Sequence, residues 1–577
     1  MRTIADRLVA AARERPWIVA ACLFAGLLIA RHLHDGFSAI VAEEARLAQQ
    51  GQVLFVRGGD VWMRDLPKTH QFLAGRFFSD PHFEGEPHWY PFFMPLAAAA
   101  VARIGGYEPA SAYFRLEVMT TALFLLAIGL HIRVVAGRLW VALLPVAGLL
   151  GWILPGNGLY PIYGARGPLL ILLAASGWVI DQAATTRMSR QRAFWLAGAV
   201  GLANGVLGLW NGAAFFLCLP VTVLVAVWLG GRMDMEGRRP FERVFPLAAA
   251  VAACTLAMAL LLLPQLIHYG TIQQAQSARL YVETAIYGPG NHWQEAFAGR
   301  LWPTGLARVL LWAFFALLAL SAWSPRVRGL IKPTRALPLA FAYLLAMAVA
   351  HVGYGLNDPA LGAGGVLLRT LLPAPPHGFY IVAGGALFPV IQILAVGWTF
   401  LLLWQLAVER LKAKIPPKAT LVLADPRRAW LAAAATAVLW IAMLIRFDSR
   451  IGFFWQGEDL AFYRFARQAH AITGNRVVYT ETPARMVTVG GIRVLAENAP
   501  DHVNHYVLAQ RLATAAELRA LVARRNYSAA DQLLARNNVA FVLAGPGNLN
   551  QVVDHCGGNV LIQFGTYRLR ERAACHP

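Results

Sequence analysis

About eleven long apolar segments constrain what this chain of 577 residues can fold into. A run of about 20 apolar residues matches the thickness of the hydrocarbon core of a bilayer. Charged residues make up only 14% of the chain, whereas a soluble domain carries about 25%. We therefore predict an α-helical polytopic membrane protein rather than a soluble helical one. Its spans are expected near residues 17–33, 112–132, 139–155, 168–181, 194–209, 212–229, 244–266, 305–323, 336–354, 379–405 and 429–446.

The basic residues between the segments predict the orientation of the chain. One set of connecting segments carries 23 Lys and Arg, and the short loops of the opposite set carry 4 (Arg166, Arg279, Arg300 and Arg369). Loops rich in Lys and Arg stay in the cytoplasm. The net charge of +20 lies in short clusters between spans, which does not fit a nucleic-acid-binding face. The basic set comprises residues 1–16, 133–138, 187–192, 232–243, 326–335 and 410–428.

This orientation divides the chain into two predicted domains. Residues 1–446 form a transmembrane domain with a cytoplasmic N-terminus, and residues 447–577 form a domain on the outer side. The segment at 17–33 lacks a small-residue cleavage site and reads as a retained span. We expect a multi-pass protein of a bacterial inner membrane whose tail lies in the periplasm. The predicted outer loops are 34–111, 156–167, 267–304 and 355–378.

The polar tail alternates strand-like and helix-like runs, which predicts a small α/β domain. The strand-like runs are 476–480, 539–543 and 560–564, and the helix-like runs are 459–470, 515–525 and 528–537. Cys556 and Cys575 lie in this region without a CxxC spacing. Outside the cytosol, two such cysteines are expected to form a disulfide.

The first outer loop, 34–111, is long enough to be functional rather than connective. It opens with His34-Asp35-Gly36, followed by an amphipathic stretch at 40–47 that ends near Gly51. Residues 67–77 suit a second interfacial helix. The apolar stretch 92–104 is too short to span a bilayer, so we expect a dipping or interfacial helix there.

Several short motifs of this chain resemble those of the GT-C class of polyprenyl-phosphate-sugar glycosyltransferases, which includes protein mannosyltransferases and the aminoarabinose transferase of lipid A. Asp35 follows the first span, as the family's Asp does. The stretch from Tyr90-Pro91 to Gly106 is similar to the family's "YPPLYPLLLALLARLFG", and residues 198–203 resemble its "GLLLGLA". Residues 533–545 resemble a helix-to-strand segment of the outer domains of such enzymes. The resemblance extends over most of the chain in the order of its segments. The individual motifs that carry it are short and degenerate.

The resemblance implies an inverting transfer of a sugar from a polyprenyl-phosphate donor to an acceptor glycan, lipid or protein. Such a site needs a carboxylate base near the acceptor hydroxyl. Asp35 is the first candidate for this base, and Glu86 and Glu84 are the next. A second reading of Asp35 is an N-cap for the helix that follows it, and a second reading of the two glutamates is solvated loop acids.

The leaving phosphate requires cations or hydrogen-bond donors. The candidates for donor phosphate binding are Arg369, His377, Arg279 and Arg166, although a lone Arg is also a common interface anchor. Amide and aromatic side chains in the outer loops suit sugar or acceptor binding, and they also populate ordinary membrane-interface loops. The candidates for that role are His34, His88, Tyr90, Tyr163, His268, Tyr269, Gln273 and His292.

One departure from the family bears on cofactors. Many members carry an acid in the loop between the third and fourth spans, but residues 156–166 contain none. The histidines at 34, 82 and 88 match no compact metal spacing. No cofactor is certain, and a divalent metal is not favoured. A transporter or flippase of a lipid-linked saccharide is the alternative function, and a scaffold that presents the tail is a third.

Overall fold

The computed structural model describes ten stretches of the chain. These are residues 16–56, 65–79, 92–136, 188–210, 212–232, 240–262, 455–480, 485–495, 505–545 and 550–575, with single residues between 172 and 179 and between 309 and 327.

The chain divides into two compact units, and the division differs from the predicted boundary at residue 446. The described residues of the first unit lie in 16–36 and 118–259 and among the single residues up to 327. Those of the second unit lie in 37–117, in 260–262 and in the tail from 455 to 575. The predicted first outer loop from Phe37 onward therefore belongs to the same compact unit as the tail, whereas residues 34–36, with Asp35, belong to the first unit.

The first helix is longer than the sequence predicts. Helix α1, Pro16–Gln49, runs without a break through the predicted span and the predicted amphipathic stretch. It ends at Gly51, whose φ of +68° is a left-handed conformation that glycine adopts without a steric penalty. Asp35 lies in the interior of α1, so the interpretation of Asp35 as an N-cap is wrong.

Three further helices follow in the first outer loop and the second predicted span. They are α2, Leu66–Leu73, α3, Phe93–Gly105, and α4, Pro109–Ala136. A proline at the start of α2 suits its first turn, where the missing N–H has no helical partner. Helix α3 has 13 residues and ends at Gly106, with φ +65°. The helices predicted at 67–77 and 92–104 are thus confirmed as helices.

Three helices of the first unit pack against one another through small residues. They are α5, Arg190–Trp210, α6, Gly212–Arg232, and α7, Pro240–Ala259, and Leu260–Leu262 continues the last as a 3-10 turn. A Cβ added to Gly201 would lie 2.5 Å from the carbonyl oxygen of Val251, so only glycine permits this approach. Thr255 donates a hydrogen bond of 2.9 Å to the Gly201 carbonyl. Such small-residue contacts are typical of helices that pack in membranes.

Helix α5 is, in the described part of the chain, the one helix that is long and apolar enough to cross a membrane. Two shorter apolar helical stretches, Phe93–Gly105 and Val221–Gly231, accompany it there. The predicted spans at 17–33, 112–132 and 212–229 lie within α1, α4 and α6, and the predicted span at 244–266 lies partly within α7. The remaining predicted spans lie wholly or largely outside the described residues.

A two-stranded antiparallel sheet joins the first outer loop to the tail. Strand β1, Gln52–Val56, pairs with β2, Trp455–Asp459, in a register that sets Gln52 opposite Asp459 and Val56 opposite Trp455. Helix α8, Leu460–Thr473, follows directly and is capped by the Asp459 side chain, which accepts a 2.8 Å hydrogen bond from the Phe462 amide. The pairing requires two segments about 400 residues apart in sequence to meet.

The remainder of the tail forms a four-stranded mixed sheet in the order β3-β4-β6-β5. Strands β3 and β4 are parallel, and β6 pairs antiparallel with β4 and with β5. A π-helical turn, Met486–Gly490, follows β3. The elements are β3, Val477–Thr480, α9, His505–Ala523, α10, Tyr527–Arg536, β4, Val539–Ala544, α11, Asn550–His555, β5, Val560–Phe564, and β6, Tyr567–Glu571.

The described part of the tail combines helices with a sheet, and each strand predicted there overlaps a strand of the structure. A buried apolar core that includes Leu518, Leu534 and Val542 lies between the helices and the sheet. Cys556 and Cys575 form the predicted disulfide, and Cys556 packs against this core. Strand β6, which was not predicted from the sequence, completes the sheet next to β4.

Replacing both disulfide cysteines, C556S together with C575S, should destabilise the second unit. The bridge closes a loop across a sequence separation of 19 residues, which in the chain-entropy model is worth about 3 kcal/mol. Thermal unfolding of the purified chain, followed with and without reductant, measures the effect. An unfolding temperature that neither the double substitution nor reduction lowers would contradict this role.

Candidate functional site

Asp35 lies on α1 in an ion pair with a residue one turn before it. Arg31 Nε lies 3.2 Å from Asp35 Oδ2, and the two side chains are 35% and 37% exposed. The spacing of four residues places both side chains on one face of the helix. The carboxylate is therefore held by a cation and remains accessible from outside the protein.

The residues around Asp35 pack α1 closely against the part of α4 that belongs to the same unit. His32 is buried, and its Nε2 lies 3.2 Å from the Val118 carbonyl oxygen. A Cβ at Gly36 would come within 2.9 Å of both γ-methyl groups of Val118. The glycine of the His34-Asp35-Gly36 motif is therefore needed for close helix packing, and His34 itself is exposed.

The structure tests the positions of few of the predicted site residues. Of these residues, the structure describes Asp35 and His34, which are neighbours on α1. The following candidates lie outside the described residues: Glu84, Glu86, His88, Tyr90, Tyr163, Arg166, His268, Tyr269, Gln273, Arg279, His292, Arg369 and His377.

A second group of polar side chains lies on α2, which is buried on all sides. Buried polar groups are more informative than exposed apolar ones, because each needs a partner to offset its desolvation. Asp65, which precedes the helix, is 2% exposed, and Lys68 is 1% exposed. The other buried polar residues of the helix are Thr69, His70 and Gln71.

Helix α4 adds a tyrosine and a second carboxylate to this group. Tyr113 donates a hydrogen bond of 2.9 Å to Asp65 Oδ2. Glu117 is 3% exposed, and its carboxyl group interacts electrostatically with that of Asp65. Lys68 follows Asp65 by three residues, so the two occupy the same face of the turn. The two buried carboxylates, Asp65 and Glu117, thus lie beside the Tyr113 phenol and the helix that carries the Lys68 ammonium group. This arrangement is suited to holding a polar ligand or a proton.

A third interaction joins the C-terminal part of α1 to the start of α4. Arg115 donates from Nη1 and Nη2 to the two carboxylate oxygens of Glu44, at 3.0 and 2.9 Å. Ser111 also donates to Glu44, and the Arg115 guanidinium lies 4.1 Å from the centre of the Tyr107 ring. Burial raises the pKa of the Glu44 carboxyl, but the hydrogen bonds from Arg115 and Ser111 and the Arg115 charge bring it below its usual value. This bidentate ion pair connects α1 to α4, the helix that carries Tyr113, which donates the hydrogen bond to Asp65.

The described residues contain no group of three or more His, Cys, Asp or Glu side chains arranged to hold a metal ion. The prediction that a metal is not favoured stays a prediction, because Glu84, Glu86 and His88 lie outside these residues.

Sequence reasoning missed the buried polar group around α2, which it interpreted as an interfacial helix. A signal was present, because Lys68, Thr69, His70 and Gln71 leave the helix without a wholly apolar face. The burial of these side chains depends on α4 and the tail, whose contacts with α2 cannot be deduced from local periodicity.

Replacing Tyr113 by Phe should destabilise the second unit by about 1–3 kcal/mol, because Asp65 would lose a donor where water cannot replace it. Tyr527→Phe is the matched control, since its hydroxyl donates to Gln551 at an exposed position and surface changes stay within about 0.5 kcal/mol. Denaturant unfolding of both variants checks this, and equal stabilities would contradict the buried role of Tyr113.

Comparison with known proteins finds similar solved structures. No protein-family model matches the chain, and no curated protein matches it. The structure of ArnT from Cupriavidus metallidurans bound to undecaprenyl phosphate has a TM-score of 0.41 and 14% identity, with 96% of this chain and 98% of that chain covered. The apo oligosaccharyltransferase of Archaeoglobus fulgidus has a TM-score of 0.37 and 13% identity, with 88% and 69% covered. The same enzyme with a tethered acceptor peptide has a TM-score of 0.38, 12% identity and the same coverage. Both proteins are GT-C enzymes, and at these scores no residue role or substrate carries over from them to this chain.

Proposed function

We propose that this chain is a membrane glycosyltransferase that moves a sugar from a polyprenyl-phosphate donor to an acceptor glycan, lipid or protein. The transfer takes place on the outer side of a bacterial inner membrane. The observation that carries the proposal is the accessible carboxylate of Asp35, paired with Arg31. It lies two residues beyond the predicted first span, where the phosphate of a membrane-embedded donor meets water.

The proposed reaction gives Asp35 one task. Its carboxylate accepts the proton of the acceptor hydroxyl as the oxygen attacks the anomeric carbon of the sugar. The bond from that carbon to the phosphate oxygen breaks, and the polyprenyl phosphate leaves with the bonding electrons. Attack opposite the leaving group inverts the anomeric configuration. Asp35 is 37% exposed, so an acceptor can reach it from solvent.

The leaving phosphate gains negative charge in this step, and cations or hydrogen-bond donors lower the barrier by stabilising it. In the proposal, the cationic candidates from the outer loops bind this phosphate, and Glu84 and Glu86 assist Asp35. The remaining polar and aromatic candidates bind the sugar or acceptor. The donor-phosphate group is Arg369, His377, Arg279 and Arg166, and the sugar or acceptor group is His34, His88, Tyr90, Tyr163, His268, Tyr269, Gln273 and His292.

The Asp35→Asn variant tests the proposal. It keeps the size of the side chain and removes the base, so transfer from a polyprenyl-phosphate sugar should fall by about 100-fold or more. Asp35→Glu should retain part of the activity. Glu43→Gln is the matched control, because Glu43 is an acid on the same helix that also pairs with an arginine, Arg46, 2.6 Å away. Its activity should equal that of the wild type.

The measurement is the rate at which labelled sugar moves to acceptor, with purified variants at equal folded concentration. Undiminished transfer by Asp35→Asn would remove Asp35 from the reaction. If the wild type instead moves the intact lipid-linked sugar across a vesicle membrane and transfers none of it, the transporter alternative replaces the proposal.

A further inference from the structure

The segment that follows β6, residues 572–575, is held in the second unit by non-covalent contacts as well as by the disulfide. The Arg572 amide donates to the Ala540 carbonyl of β4 at 2.9 Å, and its Nε donates to the Val539 carbonyl at 3.0 Å. The guanidinium Nη1 of Arg572 donates to Asp531 Oδ1 at 2.9 Å. Arg572 therefore connects this segment to both β4 and α10 without any contribution from the cysteines.

The Asp531 carboxylate binds the segment through both of its oxygens. Whereas Oδ1 accepts from Arg572, Oδ2 accepts a hydrogen bond of 3.1 Å from the backbone amide of Cys575. Asp531 lies on α10 and is only 5% exposed. Burying a carboxylate is costly unless charged or hydrogen-bonding partners offset its desolvation. The segment supplies one partner of each kind, so the position of Cys575 is coupled to the charge of Asp531.

Cys556 is fixed to the same helix, α10, through α11. The Cys556 amide donates to the Val552 carbonyl at 2.9 Å, and its side chain packs against the buried core of the tail. Tyr527, at the start of α10, donates to Gln551 at 3.1 Å, and its ring centre lies 5.0 Å from that of His555. Both cysteines are thus attached to α10 by contacts that need no bond between their sulfur atoms.

We propose that Asp531 is a positioning residue for the disulfide. It keeps Cys575 beside Cys556 when the bond is reduced, so that the bond opens and re-forms within the folded second unit. Both cysteines are partly exposed, which gives a small thiol or disulfide access to their sulfur atoms. The inference does not rest on the proposed glycosyl transfer, because no sugar donor and no residue assigned to that reaction takes part.

Thiol–disulfide exchange supplies the chemistry, with a small disulfide such as oxidised glutathione as the oxidant. The thiolate of one cysteine attacks a sulfur of oxidised glutathione, and the first glutathione leaves with the electron pair of the broken bond. The thiolate of the other cysteine then attacks the cysteine sulfur of the mixed disulfide, closes the Cys556–Cys575 bond and releases the second glutathione. The cysteines lose two electrons and two protons, which the two glutathione molecules gain.

The equilibrium of the purified full chain with glutathione measures this positioning. The chain, in detergent, is equilibrated with mixtures of reduced and oxidised glutathione, and alkylation of free thiols followed by mass spectrometry gives the disulfide fraction. Asp531→Asn keeps the size of the side chain and removes its charge and one acceptor oxygen. The equilibrium constant for disulfide formation should fall at least about tenfold, the effect of losing one charge-assisted hydrogen bond. Asp531→Glu, which restores the charge, should recover part of the loss.

Glu571→Gln is the matched control for this measurement. Glu571 is an acid of β6 that directly precedes the segment, and it also pairs with an arginine, Arg476, 3.7 Å away, but at an exposed position. Exposed ion pairs contribute little, so the equilibrium constant of this variant should equal that of the wild type.

Hydrogen exchange tests the docking of the segment when the bond is absent. The C556S and C575S double substitution removes the disulfide and keeps the backbone amide at position 575 that Asp531 binds. In peptides covering residues 572–575, this amide should exchange at least about tenfold more slowly in the double variant than in the same chain with Asp531→Asn added. A hydrogen-bonded amide exchanges only when its bond opens.

Two results would overturn the proposal. One is an equal equilibrium constant for disulfide formation in the wild type and Asp531→Asn. The other is equally fast exchange at position 575 with and without the Asp531 carboxylate, which would show that the segment detaches once the bond is absent. If Asp531→Asn does not fold, Arg572→Gln at its partly exposed position removes the same ion pair and decides between these outcomes.

Discussion

The antiparallel pairing of β1 with β2 is the interaction on which the second unit depends. A two-stranded sheet alone is marginally stable in water, so this pair needs the helices around it. The amide of Leu460, the first residue of α8, donates to the Gly51 carbonyl at the end of α1. Arg485 binds Glu458 at 2.5 Å and lies 3.7 Å from the centre of the Phe462 ring. The ends of α1 and α8 are thus fixed by the same short sheet.

The polar chemistry of the unit follows from this arrangement. Because the tail is brought to the first outer loop, α2 is covered on the side that would otherwise face water. Its lysine, histidine and glutamine must then find partners inside the protein, since unpaired buried polar groups are costly. Tyr113 meets Asp65 on one side, and Arg467 meets His70 on another. The hydrogen bond of Tyr113 to the buried Asp65 and the contact of Arg467 with His70 are two consequences of burying one short polar helix.

In the described part of the chain, local sequence patterns were sufficient to predict most of the helices and three of the six strands. The 3.6-residue and 2-residue periodicities locate α8, α10, β3, β4 and β5, and the two polar-region cysteines predict the disulfide. The continuity of α1 was not predictable in the same way, because Asp35-Gly36 resembles the end of a span. In the structure, Gly36 instead allows Val118 to approach α1 closely. The β1–β2 pair and the burial of α2 depend on contacts across most of the chain, which no local pattern contains.

The candidate site was predictable to a smaller extent. Asp35 was found because charge asymmetry and the resemblance to GT-C enzymes both place it beyond the first predicted span. Its pairing with Arg31 follows from helical spacing once α1 is known to be continuous. The most direct test of the proposed sugar transfer is incubation of the purified wild type with a labelled polyprenyl-phosphate sugar and candidate acceptors. Sugar is expected to appear on an acceptor with inverted anomeric configuration as polyprenyl phosphate is released. An intact donor after incubation with cell-envelope glycan, lipid and protein acceptors would contradict the proposed transfer.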